Sequence, residues 1–154
     1  MRPLKSADLP ELLRILQVSG AFTEVEIACA LELLQIVLTQ PEQLDYLVVV
    51  AEERNQVVGY ILYGPIPLTE GNYDIYWIAV DPVRQGKGWG RRLLNAAETD
   101  AEAHGARMLC LETSSQGSYQ RTRVFYEQAG YREESRIHDF YKIGDSRITY
   151  IKRL

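Results

Sequence analysis

Residues 78–94 read Ile-Ala-Val-Asp-Pro-Val-Arg-Gln-Gly-Lys-Gly-Trp-Gly-Arg-Arg-Leu-Leu, and this stretch decides the fold. Its apolar start ends a run of aromatic and branched residues typical of a β-strand, and Asp81-Pro82 closes that strand. Glycines follow at alternate positions, and the apolar spacing beyond them predicts a helix over 91–104. Backbone N–H groups at such a glycine-rich helix start attract anions, because the helix dipole is positive there. The segment therefore predicts a phosphate-binding turn.

Cations in the first turn of that helix support this interpretation. Arg91 and Arg92 oppose the helix dipole unless a bound anion offsets the repulsion. The pattern is not a Walker loop, because Lys87 is followed by Gly88. It is not a GxGxxG dinucleotide fingerprint either, because Arg91 stands where the last glycine belongs. The alternative interpretation is a glycine-rich turn with solvated arginines.

The rest of the chain alternates helical and strand patterns around this turn. Leucines at helical spacing, with a Thr23–Glu26 capping box between them, predict two N-terminal helices, and a short strand can precede them. The predicted helices are 4–18, 24–39, 91–104 and 119–128, and the predicted strands are 46–52, 56–63, 73–80, 108–111, 131–141 and 147–154. This order predicts an α/β (α+β) protein whose mixed central sheet has six to seven strands and about four flanking helices.

Length and composition are those of an ordinary globular protein. The 154 residues correspond to one domain, 1–154, and 46% hydrophobic with 25% charged residues excludes a disordered or coiled-coil chain. No apolar run approaches the roughly 20 residues that span a bilayer, and the N-terminus lacks a signal-peptide pattern. We therefore expect a cytoplasmic protein without a membrane partner. The net charge of −4 disfavours nucleic acid as a partner.

Cysteine and histidine are too scarce for a structural zinc site, and we expect no metal. The chain has two cysteines and two histidines, with no CxxC pair. Cys29 and Cys110 both lie in apolar stretches, which predicts buried thiols.

Two motifs together resemble a known family. Residues 85–90, Gln-Gly-Lys-Gly-Trp-Gly, fit the pattern [Q/R]-x-x-G-x-[G/A] after a strand that ends in Val-Asp-Pro. Residues 124–131, Val-Phe-Tyr-Glu-Gln-Ala-Gly-Tyr, resemble a second element, FYExxGF. Both elements, in this order and separated by a helix, a strand and a helix, are typical of the GNAT superfamily of N-acetyltransferases. The resemblance covers most of the chain, roughly 44–154.

This resemblance implies acetyl-CoA as the co-substrate, held in a V-shaped opening between two neighbouring parallel strands. Backbone groups of the first strand would bind the pantetheine arm, and amides of the glycine-rich turn would bind the pyrophosphate. The implied cofactor-binding residues are Ile78, Ala79 and Val80 on the strand, then Gln85, Gly86, Lys87, Gly88, Trp89, Gly90 and Arg91 in the turn.

The resemblance also implies catalytic residues. Tyr126 matches a tyrosine that protonates the departing CoA thiolate, although a tyrosine on an amphipathic helix can also be a core residue. The proton acceptor is open between Asp74 and Glu112. Asp74 has aromatic neighbours that would raise its pKa by desolvation, and Glu112 matches the proton acceptor of ribosomal-protein N-terminal acetyltransferases. Either carboxylate could instead bind the substrate ammonium or pair with an arginine, and His138 is a third candidate.

One position departs from the family pattern, and one segment has two interpretations. Tyr119 stands where many members have a cofactor-contacting asparagine, so we expect no such contact there. The segment 139–145 can line the acceptor pocket, or it can be a hairpin turn capped by Asp145.

The resulting expectation is an enzyme that moves an acetyl group from acetyl-CoA to a primary amine by direct transfer in a ternary complex. The acceptor would be a small molecule, an amino acid or a peptide N-terminus. One alternative is a non-catalytic acyl-CoA-binding sensor of the same fold. Another is a tRNA-directed acetyltransferase toxin, which the acidic net charge disfavours. A homodimer is compatible with the resemblance, since dimers are common in the superfamily.

Overall fold

The sheet is mixed, and its strands are not in sequence order. The computed structural model describes residues 1–154. Seven strands form one sheet in the order β1-β2-β3-β4-β5-β7-β6, and all neighbours are antiparallel except β4 and β5. The strands are β1 Arg2–Pro3, β2 Leu47–Glu53, β3 Gln56–Pro65, β4 Asn72–Val80, β5 Met108–Ser114, β6 Arg132–Lys142 and β7 Asp145–Arg153. The helices are α1 Leu9–Ser19, α2 Glu24–Thr39, α3 Trp89–Ala103 and α4 Gln120–Gln128. The predicted mixed sheet, its strand number and its four helices are confirmed.

Local sequence explains how the N-terminal elements begin and end. Gly20 adopts a φ of 63° and ends α1 in the left-handed region that glycine tolerates. The predicted capping box starts α2, because the Thr23 hydroxyl accepts from the Glu26 amide while the Glu26 carboxylate accepts from the Thr23 amide. Arg54 and Asn55 both have positive φ and form the tight turn between β2 and β3.

Each face of the sheet has its own helical layer. The first layer, α1 and α2, packs on β2, β3 and β4, and the buried residues of this side are Leu12, Ile15, Leu16, Ala30, Leu34, Val50, Tyr60, Leu62 and Ala79. On the opposite face α3 and α4 cover a larger cluster that includes Leu93, Leu94, Ala97, Leu109, Leu111, Tyr126 and Ile148. The first layer does not extend over β5, β7 and β6, so it leaves one face of that part of the sheet without a helix.

The feature that creates a site is the separation of β4 and β5. These parallel strands are in register only from Asn72 to Asp74 and from Met108 to Cys110. Beyond those residues β5 stays paired with β7 as far as Ser114, while β4 stays paired with β3. Strand β4 also carries a bulge, because Leu62 pairs with Trp77 while the next residue pairs with Ile75. The two strands therefore diverge into an opening in the middle of the sheet.

The turn after β4 is tied to its surroundings by buried and partly buried polar contacts. Asp81, with 6% of its surface exposed, accepts hydrogen bonds from the Val83 amide and from the Arg14 guanidinium of α1. Arg84 pairs with Glu53 at the end of β2. These contacts hold the start of the turn in place. The buried Asp81 carboxylate needs its hydrogen-bond partners, because they offset the free energy of its desolvation.

Several predicted boundaries and one burial prediction are wrong. The helix predicted over 4–18 begins at Leu9, because Asp8 caps a preceding 3₁₀ turn, Ser6–Asp8, and binds Arg2. Strand β5 extends three residues beyond Leu111, since β7 pairs with its whole length. Cys29 is exposed on α2, and Cys110 is only partly buried.

No helix of this structure has the length and apolar character needed to cross a membrane.

Replacing Asp81 tests the anchoring of the turn. Asp81→Ala removes the acceptor for both the Val83 amide and Arg14, so the free energy of unfolding should fall by about 2 kcal/mol. Urea denaturation measures this change. The matched control is Glu11→Gln, which removes the other partner of Arg14 at a position whose side chain is 41% exposed, and its cost should be about 0.5 kcal/mol or less. Equal effects of the two substitutions would contradict the anchoring role.

Candidate active site

Two connected cavities occupy the opening between β4 and β5. The larger, about 520 Å³, is a groove between the glycine-rich turn and α4. The smaller, about 230 Å³, lies between the diverging strands and the loop that joins α1 to α2. Both cavities are lined by Ile78, Val80, Gln85, Thr122 and Tyr126. A ligand can therefore extend from the groove through the opening to the other face of the sheet.

The backbone of β4 presents polar groups to this opening. The Asp81 amide donates to the carbonyl of Val58 on β3 at 2.9 Å, so the polar groups of Val80 and Ile78 point to the opposite side. The Val80 carbonyl there accepts only a side-chain hydrogen bond, from Gln85 Nε2 at 3.2 Å. An extended ligand can pair with this edge as an added strand would.

The glycine-rich turn leads into a helix start that no side chain caps. Gly86 and Gly88 have φ values of 73° and 79°, a region that side-chain-bearing residues rarely adopt. Gly88 is the N-cap of α3 and provides no side-chain hydrogen bond to the first amides of the helix. Free amides at a helix N-terminus, next to an open groove, are well suited to a phosphate.

Three arginines in and next to the turn have partners within the protein. Arg84 pairs with Glu53, and Arg92 lies over the ring of Trp89 at 4.8 Å. Arg91 lines the groove, but its guanidinium donates to the carbonyl of Gln128. Of the ten predicted cofactor-binding residues, only Lys87 lies outside the walls of both cavities, and Ala79 lines only the smaller one.

Helix α4 supplies one wall of the groove, of which the sequence motifs marked only Tyr126. Arg121 lines the groove and makes neither a hydrogen bond nor an ion pair within the protein. Thr122 and Phe125 lie on the same wall. No pattern within α4 marks these positions, because their role depends on where the helix packs.

Tyr126 lies where the two cavities meet. It is 5% exposed, its ring packs edge-on against Tyr131 at 5.8 Å, and its hydroxyl has no hydrogen-bond partner within the protein. Burial raises the pKa of the Tyr126 hydroxyl above that of a free tyrosine. The side chain is therefore a protonated phenol that can donate to a group inside the opening.

The structure brings Asp74 and Glu112 onto one face of the sheet. Asp74 pairs in register with Cys110, and Glu112 follows Cys110 by two residues on β5, so all three side chains share a face. Glu112 lines the smaller cavity together with Tyr126. Burial, with a further contribution from repulsion by Glu112, raises the pKa of Asp74 to about 6.

His138 lies outside both cavities, whereas Tyr119 lines the smaller one. His138 is exposed on β6, where its Nδ1 lies 3.5 Å from the Ser146 hydroxyl, and it lines neither cavity. Tyr119 lines the smaller cavity, and its hydroxyl donates to the carbonyl of Ala21 in the α1–α2 loop at 3.2 Å. Tyr119 therefore connects the N-terminus of α4 to that loop across the opening.

The segment 139–145 forms the turn of the β6–β7 hairpin, and none of its residues lines either cavity. Its turn is capped by Asp139, which accepts from the Gly144 amide at 2.8 Å, so the predicted cap by Asp145 is wrong. Asp145 is buried and accepts instead from Ser114 and Gln116, which fixes the loop after β5. Arg147 of β7, which no sequence motif marks, forms an ion pair with Glu112, with its Nη1 3.3 Å from Glu112 Oε1.

The GNAT acetyltransferase domain matches residues 45–133, which contain the opening, the glycine-rich turn and Tyr126. The chain belongs to the GNAT acetyltransferase family.

Three known proteins are similar to this chain in sequence or in fold. A curated relative from Bacillus subtilis (strain 168), the uncharacterized N-acetyltransferase YhfO, is 32% identical over 97 residues, which are 61% of this chain and 64% of that protein. A GNAT-family protein from Desulfovibrio desulfuricans has a solved structure with a TM-score of 0.96 and 40% identity, covering 99% of this chain and 96% of its own. An aminoglycoside 6′-N-acetyltransferase complexed with coenzyme A has a TM-score of 0.79 at 16% identity, covering 99% and 95% respectively. That last likeness shows the shared fold.

The raised pKa of Asp74 in this GNAT domain predicts a pH-dependent effect on stability. A carboxyl with a raised folded pKa favours folding while it is protonated, and that contribution is lost as pH rises through about 6. Asp74→Asn should therefore raise Tm above the wild-type value near pH 8, and the gain should vanish towards about pH 4. Thermal melts across this range measure it. Glu102→Gln, at an exposed position on α3, controls for the loss of one negative charge. A gain independent of pH would contradict the assigned pKa.

Proposed function

We propose that this protein transfers an acetyl group from acetyl-CoA to a primary amine by direct transfer in a ternary complex. The observation that carries the proposal is the position of Tyr126, which lines both the groove and the smaller cavity and whose hydroxyl has no partner within the protein. A cofactor in the groove and an acceptor in the cavity would meet at this hydroxyl.

The groove fits acetyl-CoA on several counts. The outward-facing polar groups of Ile78 and Val80 would pair with the amides of the pantetheine arm. The uncapped amides after Gly88 would bind the pyrophosphate, and Arg121 supplies a free positive charge beside them. The related aminoglycoside enzyme that was solved with coenzyme A shares this fold.

The smaller cavity provides the groups that an amine acceptor requires. Its wall contains Phe22, Tyr76 and Tyr119, whose rings exclude water, and the carboxylate of Glu112. Carboxylates attract the ammonium form of the acceptor, and a nearby proton acceptor then produces the nucleophilic neutral amine.

Proton transfers complete the reaction. Bound acetyl-CoA would supply the acetyl group as an activated thioester, and its C–S bond breaks as the new C–N bond forms. Tyr126 donates its hydroxyl proton to the departing sulfur, because burial keeps this phenol protonated. Glu112 contacts the amine directly and accepts its proton. Asp74, with a pKa of about 6, lies on the same face of the sheet as Glu112 and can exchange that proton near neutral pH.

Tyr126→Phe tests the acid. The substitution removes the proton donor and keeps the ring, so kcat should fall about 100-fold while the Kd for acetyl-CoA stays close to the wild-type value. Thiol release in the presence of a panel of amines measures kcat, and isothermal titration measures Kd.

The control for this experiment separates binding from chemistry. Gly88→Val places a branched residue at a φ of 79°, where no neighbouring atom obstructs the side chain but the backbone is strained. We expect the Kd for acetyl-CoA to rise about tenfold, because the turn amides move.

Turnover unchanged in Tyr126→Phe would remove Tyr126 from the chemistry. Tight acetyl-CoA binding without turnover on any amine would favour a non-catalytic sensor.

The two carboxylates are distinguished by pH profiles. Glu112→Gln should lower kcat/KM about 100-fold at all pH values, because it removes the group that contacts the amine. For wild type we expect kcat/KM to decline as pH falls through about 6; Asp74→Asn should cause a smaller loss and should abolish this decline. The assignment of Asp74 fails if this decline persists in the variant.

A further inference from the structure

Arg147 of β7 has a guanidinium whose one polar contact is the ion pair with Glu112, a residue of the proposed acceptor cavity. Its side chain is 26% exposed, and none of its N–H groups makes a hydrogen bond within the protein. Its Nε is fully buried and has no partner. Buried donors are nearly always paired in native proteins, so this guanidinium calls for a physical explanation.

Two other arginines of the same region are hydrogen-bonded within the protein. Arg136 of β6 binds both carboxylate oxygens of Glu133, at 2.9 and 2.8 Å. Arg123 of α4 donates to the carbonyls of Ser114 and Gln116 at 2.7 and 2.9 Å. Lack of available acceptors in this part of the molecule therefore does not explain Arg147.

The surroundings of Arg147 leave most of its side-chain donors without a protein acceptor. The ring of Phe140 lies 4.4 Å from the guanidinium carbon and covers one face of the group. The N–H groups lie in the plane of the guanidinium, so this ring does not block them. On one side Nη1 lies 3.3 Å from Glu112 Oε1, a single contact where a bidentate pair would have two short bonds.

We propose that Arg147 binds a carboxylate of the acceptor, and hence that the acceptor is a free amino acid. This inference rests on the proposed acetyl transfer, since it concerns the amine that enters the same cavity. Glu112 binds the ammonium group, and Arg147 next to it binds the carboxylate. A carboxylate and a guanidinium side by side complement the zwitterion of an amino acid, whose opposite charges are also separated by only a few ångströms.

This chemistry separates acceptor classes. A peptide N-terminus has an amide in place of the α-carboxylate, and an aminoglycoside has amines without a carboxylate. Each would place Arg147 against a group that cannot accept a bidentate, charge-assisted bond, and a site built for such a bond discriminates strongly against analogues that lack the partner.

The test compares matched ligands on the full-length protein. Each common L-amino acid is titrated calorimetrically against its amide and its decarboxylated amine, with and without saturating CoA. At least one amino acid should bind, and its amide and amine should bind at least about 30-fold more weakly. No binding of any amino acid at millimolar concentration, or equal binding of acid and amide, overturns the proposal.

Three variants sharpen the result. Arg147→Gln should abolish the preference for the carboxylate, and Arg147→Lys should retain part of it, because lysine keeps the charge but not the planar donor pair. Arg136→Gln is the matched control, an arginine of the same hairpin bound to Glu133, and should keep the wild-type preference. If Arg147→Gln does not fold, the acid–amide comparison in wild type and the lysine variant still decide. A carboxylate preference unchanged in Arg147→Gln rules out this role.

Turnover distinguishes this proposal from the proposed function. Acetylation of carboxylate-free amines at least as efficiently as amino acids leaves an N-acetyltransferase standing and overturns the role of Arg147. Carboxylate-dependent binding of amino acids without release of CoA from acetyl-CoA preserves the role of Arg147 and overturns acetyl transfer.

Discussion

The pairing of β4 with β5 ends after three residue pairs, and every functional feature of this structure depends on that interruption. Two parallel strands that stayed in register would satisfy each other's amides and carbonyls and leave no opening in the sheet. Here each strand remains paired on its outer side, β4 with β3 and β5 with β7. The free energy of the sheet is thus largely retained while the inner backbone groups of Ile78 and Val80 stay available for a ligand.

The elements around the opening are held by interactions between distant parts of the chain. Arg14 of α1 binds Asp81 at the end of β4, and Tyr119 at the start of α4 binds the carbonyl of Ala21. On the other side, Asp145 of β7 fixes the loop that leads from β5 into α4. These contacts position the glycine-rich turn and Tyr126 on opposite walls of one groove. Transfer of a group between two bound substrates requires such fixed positions.

The two cavities of the site differ in charge. The uncapped start of α3 and Arg121 make the groove positive, which suits phosphates. The smaller cavity is lined by Glu112, which is ion-paired with Arg147 and shares a face of the sheet with Asp74. Burial favours the neutral forms of Asp74 and Tyr126, so both can take part in proton transfer rather than in permanent ion pairs.

Local patterns in the sequence determined the fold, the family and most of the groove. The capping box at Thr23, the glycine-rich turn after Asp81 and the tyrosine of the second motif depend on neighbouring residues, so their structures follow from spacing alone. Tertiary structure decided which charges are free. Arg84 is paired with Glu53, and Arg147 makes a single ion-pair contact with Glu112, and these relationships join residues that lie 31 and 35 positions apart in the chain. Cys29 is exposed within an apolar helix for the same reason: the side of α2 that faces the sheet is set by packing against other elements, and no single stretch of sequence contains that information.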